Sequence, residues 1–573
     1  MKKKNFIDGA IIGTISLVLC KILGLIYVIP FYKIIGPQGG ALYSYAYSIY
    51  AVFLNLSTVG IPAAIAKIIC EYDTLNYQES KQRAFKLASR ILNFVGIISF
   101  IIMFIFATPI AESIIGGVTG GNSVHDVAVS IRCVAFALLV VPRLSILKGY
   151  FQGNKYITQS SVSAIIEQAV RVSIIIVGSL VTVKVFHLPI EYAVYVATFS
   201  AAIAALSAYI YLRMKSRTIR EEDLKKIENE KKSISKKSEQ EDSERNISTK
   251  NLVKKIIVYA LPFVIISLLS SAYNIVDTFT VVKTLTKIGY STQIAETTIS
   301  VMNTWAAKLN QIVLSISLGM AGSLIPNIVE SYTKKDFKEI NHRMLLAFKM
   351  LIYLTVPMAF GMSFLAEPVW HVFYDTNAIG YSIYRFYVLQ VIIHGLFTTM
   401  TTITQSMNQT KITIGSLVAS LILKATLNIP LMYLFKVIGI PSYYAPTAAD
   451  AIAKTISLIA VLIILKKKYE FSYKPLLPYT LKTAVSLGAM LVTLFLIKLV
   501  YFNSITVVKS VITITIYTVA GAIVYFIVSN KFKLLEDILG PDYKNKLLKK
   551  FKIKRSWWHE SFNHSIMVPR GRR

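Results

Sequence analysis

The chain has 573 residues, of which 54% are hydrophobic and only 16% charged, against roughly 45–50% and about 25% in soluble proteins, so an ordinary soluble domain is excluded. Its 62 Lys and Arg exceed 30 Asp and Glu by 32 charges. These charges are segregated from the apolar runs, which argues against a nucleic-acid-binding protein and for a multispanning membrane protein with no nucleic-acid partner.

A hydrocarbon core about 30 Å thick is crossed by about 20 apolar residues in a helix, and fourteen such runs follow one another along the chain. The first, 9–32, comes after Lys2, Lys3 and Lys4 and holds Lys21 near its middle. It is too long for the apolar part of a signal peptide, and no small-residue cleavage site follows, so it is read as a retained helix. Gly24, Pro30, Gly36, Pro37, Gly39 and Gly40 make this span and its exit loop breakable. The next spans are 42–69 and 86–115, separated by the basic residues Lys67, Lys81, Arg83 and Lys86. After a loop from Gly116 to His125 without Lys or Arg, span 127–150 carries Arg132 and Arg143, and Lys148 and Lys155 mark its exit. Span 158–183 contains Glu167 and Arg171, one helical turn apart on one face. The sixth span is 190–212.

Residues 214–253 form the one long polar segment, and 14 Lys or Arg lie between Arg213 and Lys255 inclusive. The segment has too few apolar residues to fold alone and reads as a linker. Beyond it, span 255–282 has Asp277 in its outer part, and span 297–328 has Lys308 beside a polar, small-residue face from Asn303 to Ser323. Then come 345–373, 382–407 with Arg385 at its outer end, 412–435 with Lys424, and 443–465 with the i,i+4 pair Asp450 and Lys454. Spans 479–501 and 506–530 precede a basic tail, 531–573, whose Trp557 and Trp558 suit contact with anionic lipid headgroups. Alternate loops are basic, which places both termini in the cytoplasm.

An ordered internal repeat relates the halves. IPAAIAKIICEY at 61–72 faces IPNIVESY at 325–332, AFK at 84–86 faces AFK at 347–349, and AE at 111–112 faces AE at 366–367. GNKYITQSSVSAIIEQA at 153–169 then faces NQTKITIGSLVASLILKA at 408–425. Equivalent spans start on the same side, so the repeats are parallel. The expected fold is an all-α membrane protein with a six-helix bundle at 1–213, a charged cytoplasmic linker at 214–253, a second bundle at 254–466, two additional helices within 467–530 and a cytoplasmic tail.

An ionisable side chain at mid-membrane is costly, so each is a functional candidate. Lys21, Arg132, Lys308 and Lys424 lack an obvious partner on their own helix, with Asp277 as the matching anion; Glu167 and Arg171 complete the set as a pair able to neutralise itself. Arg143 and Arg385 can snorkel to polar regions. The surplus is positive, which suits a phosphate or pyrophosphate better than a cationic drug. Cys20, Cys70 and Cys133 and the seven histidines show no metal-ligand spacing, and no cofactor or nucleotide motif is evident.

The stretches CKILGLIYVIPFYKIIGPQGGALYSYAYSIY at 20–50, STVGIPAAIAKII at 57–69, KQRAFKLASR at 81–90 and LKGYFQGNKYITQSSVSAIIEQAVRV at 147–172 give the chain a resemblance to the polysaccharide transporters of the stage V sporulation protein B type. That family lies within the superfamily that also holds multidrug extruders and lipid II flippases. The resemblance implies a flippase in the bacterial cytoplasmic membrane that carries an isoprenoid-diphosphate-linked cell-wall or polysaccharide precursor, such as lipid II, to the outer leaflet. It implies a groove for the lipid tail at spans 13 and 14. Lys21 stands where the lipid II flippases carry an arginine, but Tyr27 stands where they carry a second one. An ion-coupled multidrug or cation antiporter, a lipid-linked-sugar transferase and an assembly scaffold are the competing readings. The expected partners are the lipid-linked anionic precursor, membrane lipids and a coupling ion, H+ or Na+; the sequence is silent on oligomeric state.

Overall fold

The computed structural model describes residues 16, 18–58, 60–75, 77–234, 248–502, 504 and 506–540, and among them all regular structure is helical. The start of the first predicted span, the centre of the linker and the tail beyond 540, with Trp557 and Trp558, lie outside the described residues. Twelve described helices are long and apolar enough to cross a membrane. The eighth predicted span is not among those twelve, but it is helical throughout, as α10 (Thr292–Ser300), a π-helical turn at Val301–Trp305 and α11 (Ala306–Thr333).

Residues 18–26 are helical and lead into α1 (Val28–Thr58). The loop expected after the first span is a kink one residue long, at Gly36, with φ 63° and ψ −169°. Glycine reaches that conformation without a Cβ penalty, and Pro37 is suited to restart the helix, since its missing N–H has no acceptor at a first turn. Next come α2 (Gly60–Thr74), α3 (Gln78–Ile105) and α4 (Ala107–Ile115). They are followed by α5 (Val124–Ala135), α6 (Val141–Gly153), α7 (Ile157–Ser173) and α8 (Ile190–Ile234).

The second set opens with α9 (Thr249–Ile288), then α10 and α11, α12 (Phe337–Phe364), α13 (Ala366–Phe373) and α14 (Ala378–Tyr387). It continues with α15 (Gln390–Ser406), α16 (Thr410–Val437) and α17 (Ala445–Tyr469), before α18 (Leu476–Val500), α19 (Val507–Lys531) and the short α20 (Glu536–Leu539). Two spans expected to be continuous, 86–115 and 345–373, are each broken, at Phe106 and Leu365. Proline is the cause. Pro109 and Pro368 lack the N–H that would bond the carbonyl four residues back, and those residues, Ile105 and Phe364, are where α3 and α12 end. The repeat read from the sequence therefore recurs in the element pattern: a 28-residue helix, a break, then a short helix carrying the Ala-Glu pair.

α1 packs on α5, α6 and α8, and α2 on α6, while in the second set α9 packs on α16, α16 on α17, and α11 on α15. α18 and α19 pair with each other and lean on α12 and α13. Pro357 lies inside α12 and frees the Tyr353 carbonyl. The Tyr525 hydroxyl of α19 donates to that oxygen at 2.9 Å, so the break in one helix is the anchor for another.

Between the two sets, contacts concentrate on the face that carries few basic residues. Tyr32 Oη donates to Asp375 Oδ2 at 2.8 Å, and the backbone N and Nδ2 of Asn122 both donate to Glu296 Oε1 at 2.9 Å. Lys283 Nζ donates to the Ser113 carbonyl at 2.6 Å, placing a cation at the negative C-terminal end of α4. Trp305 is fully buried here against Phe31, Tyr32 and Tyr374. A side chain on Gly40 would collide with Ser300 and Trp305, so this glycine permits the close approach. On the basic face the sets touch where α2 meets α9: Lys255 Nζ is 2.7 Å from Glu71 Oε1, and Lys67 lies over the Tyr259 ring at 4.3 Å.

Candidate functional site

Three features meet around α11. The first is a cationic cleft between the two sets of helices. On α7, Glu167 accepts from Lys148 at 2.8 Å and from Arg171 at 2.9 Å, so the self-neutralising pair expected from the sequence has a third member. Arg171 lies among Tyr43, Tyr47 and Tyr50 of α1. From the other set, Lys308 of α11 stands over the Tyr27 ring at 5.7 Å and also faces Tyr47. Tyr43 and Tyr47 stack with centroids 4.3 Å apart. Three cations against one carboxylate leave a surplus of two positive charges. Lys21 is exposed and follows Cys20, which lies near Lys148 and Glu167.

The second feature is a polar cavity of about 400 Å³ inside the second set, with Asn303 of the π-helical turn and Asn310 and Gln311 of α11 on one wall and Asp277, Lys424 and Lys454 on the other. Lys424 Nζ sits 2.7 Å from Asp277 Oδ2 and 3.9 Å from Asp450 Oδ1. Lys454 Nζ lies 2.7 Å from Asp450 Oδ2 and 2.9 Å from His394 Nδ1. Asn428 Nδ2 donates to Asp277 Oδ1 at 3.3 Å, and both ammonium groups lie within 5.3 Å of the Tyr273 ring centre. Lys424 is thus no free cation, since its charge is matched by the aspartate that the sequence left without a partner.

The third feature is an apolar groove of about 440 Å³ between α12 on one side and α18 and α19 on the other, bounded by Leu309, Ile312, Pro357, Gly361, Met490 and Gly521 among others. Adjacent residues of α11 therefore serve different features: Lys308 faces the cleft, Leu309 the groove and Asn310 the cavity. Successive helical residues point about 100° apart, which is what permits this division.

Arg132 joins none of the three. Its Nη2 donates to Thr108 Oγ1 at 2.9 Å and its Nε to the Phe104 carbonyl at 3.4 Å, so it serves the break between α3 and α4. Lys148 and His394 were not singled out in the sequence. Lys148 looks like an ordinary loop cation at a span end, and His394 is an isolated ring in an apolar run. Only the packing of α6 on α7, and of α15 on α17, gives either its partner. Among the described residues no three His, Cys, Asp or Glu side chains come together as a metal site.

The profile of a family described as polysaccharide biosynthesis protein matches residues 6–331. The chain is 29% identical over 545 residues to the lipid II flippase MurJ of Bacillus subtilis (strain 168), covering 94% of this chain and 97% of the relative. It is 25% identical over 245 residues to stage V sporulation protein B of the same organism, covering 41% of this chain and 44% of that protein. Among solved structures, a lipid II flippase MurJ in an inward closed conformation superposes with a TM-score of 0.62 at 17% identity, covering 91% of this chain and 98% of the other.

Proposed function

Because the chain belongs to the polysaccharide biosynthesis protein family, we propose that it is a flippase for an isoprenoid-diphosphate-linked cell-wall or polysaccharide precursor. The chain is a multipass protein of the cytoplasmic membrane, and its full-length relative is named for moving lipid II. The observation that carries the proposal is α11, which sets the cations of the cleft beside an apolar groove open to α18 and α19. A ligand that fits both has a polyanionic head on a long hydrocarbon tail. A cationic drug would meet the surplus of positive charge.

In this reading the diphosphate is held by Lys21, Lys308, Arg171 and Lys148, with the tail lying in the groove. Lysine suits a group that must be held and released, being a mobile point charge, while Arg171 offers a planar fork to phosphate oxygens. Glu167 keeps Lys148 and Arg171 in place until an anion competes for them. With both termini cytoplasmic, the sealed face is the outer one, and the headgroup enters from the basic side. The bundles 1–213 and 254–466 then rock about the cleft, exchanging the Tyr32–Asp375 and Asn122–Glu296 contacts for openings on that face. The activity is transport, with no bond made or broken in the precursor.

The test is translocation of a fluorescent polyprenyl-diphosphate-linked precursor in proteoliposomes, comparing the unaltered chain with Lys21→Ala and Lys308→Ala, and with a cationic dye run in parallel. Precursor crossing that drops in both variants supports the assignment. Crossing unchanged in both leaves the flippase and removes the cation site, and export of the dye without the precursor overturns the function itself.

A further inference from the structure

Asp277, Lys424, Asp450 and Lys454 are all less than 9% exposed, and the diphosphate reading uses none of them. Taking a charge out of water costs several kcal/mol, and a buried pair is poor evidence of stability, so four such groups on membrane-spanning helices indicate work done elsewhere in the cycle. Their arrangement is a cation site with its cation built in. Asp277 on α9 and Asp450 on α17 converge on one point, and the tethered ammonium of Lys424 occupies it. A metal ion would have to expel that ammonium to reach either carboxylate.

The network has a different opening. Lys454 bridges Asp450 to His394 Nδ1, and of these five ionisable groups lining the cavity His394 alone is half-buried where the other four are buried. An ammonium can only donate, so Nδ1 is an acceptor and the ring hydrogen is on Nε2. A proton entering from the cavity must therefore bind at Nδ1. It turns an acceptor 2.9 Å from Lys454 Nζ into a second cationic donor. Lys454 then withdraws onto Asp450, the tie between α15 and α17 is cut, and a neutral network of two lysines and two aspartates becomes +1. The other ionisable groups facing the cavity are Tyr273 of α9 and Tyr387 of α14, and the opposite wall is built of Met302 and Asn303 of the π-helical turn and Ala307, Asn310, Gln311 and Leu314 of α11, with no charge of its own.

We propose that this network is the coupling site of the transporter and that its ion is a proton, taken up at His394, rather than a metal cation. The proposal rests on the flippase reading for its transport assay and is separable from it by a second measurement. Proteoliposomes holding the polyprenyl-diphosphate probe are compared with no gradient, with a pH gradient acid on the receiving side, and with a sodium gradient, for the unaltered chain and for His394→Gln. Acceleration several-fold by the pH gradient and none by sodium is expected, with the ratio of the rates with and without the pH gradient falling to about one in His394→Gln. Acceleration by sodium, or by pH in the variant as well, overturns the proposal. If the probe crosses under no condition, the flippase reading fails. The proton site is then judged by hydrogen exchange of α15 and α17 in detergent at acid and neutral pH, each rate taken relative to the intrinsic exchange rate at that pH: protection that falls at acid pH in the unaltered chain alone upholds it, and equal protection profiles for the two proteins overturn it.

Discussion

Asp277→Asn and Lys424→Met, made singly and together, test whether the buried network is held by charge balance. The asparagine variant leaves Lys424 and Lys454 to share the single carboxylate of Asp450, at 3.9 and 2.7 Å, a buried net charge of +1. The methionine variant leaves two aspartates to one lysine, a net charge of −1. Removing one partner of a buried pair costs about 3–5 kcal/mol, whereas replacing both is often neutral. Independent effects would thus sum to about 6–10 kcal/mol, while the double variant, which retains the neutral Asp450–Lys454 pair, is expected within about 2 kcal/mol of the parent, a coupling of at least ~4 kcal/mol. The three free, half-buried cysteines, Cys20, Cys70 and Cys133, supply the readout, a thiol-reactive dye followed through thermal unfolding in detergent. The expected order of midpoints is parent, double variant, then the two singles well below. A double variant as unstable as the summed singles would refute the pairing, because the two residues would then contribute independently.

Gly361 faces open space in the apolar groove, so Gly361→Trp is expected to fold normally and fill the groove, cutting precursor translocation by an order of magnitude; unchanged crossing would remove the tail from the groove. Tyr32→Phe deletes a hydrogen bond to the Asp375 carboxylate, worth about 1.5–3 kcal/mol to the sealed state. Spin labels across the sealed face should show a larger open population, and an unchanged distance distribution would mean that the Tyr32–Asp375 bond adds nothing to the seal beyond the Trp305 cluster and the Asn122–Glu296 and Lys283–Ser113 contacts. Arg132→Gln removes the guanidinium at the α3–α4 break, so its unfolding midpoint should fall while precursor translocation stays at the parental rate. A selective loss of translocation would return Arg132 to the site.

The spans were legible because the bilayer imposes a length, and a run of about 20 apolar residues bounded by charge satisfies it whatever the tertiary packing. What failed was local. Gly36 and Pro37 were read as part of a loop because such residues usually mark one, but a single residue with φ 63° turns the chain at no length cost. The breaks at Phe106 and Leu365 were hidden because hydropathy continues across them; the signal was the proline three residues beyond each break, in both halves of the repeat.

The candidate charges were legible by depth and not by partner, for the same reason that helices were legible and their neighbours were not. Within one helix, i,i+4 spacing is fixed, so Glu167–Arg171 and Asp450–Lys454 were visible as pairs. Across helices nothing in the sequence orders Lys424 toward Asp277, 147 residues away, or Lys148 toward Glu167. This difference alters the functional argument, because a surplus of cations counted over the whole membrane is shared between two places of different character. In the second set of helices the count closes to zero around Lys424, leaving no charge to spend on a substrate. In the cleft it does not close, and the remaining charge lies beside the apolar groove. A polyanion on a hydrocarbon tail is the ligand for which both facts, the charge left over and its position, are favourable at once.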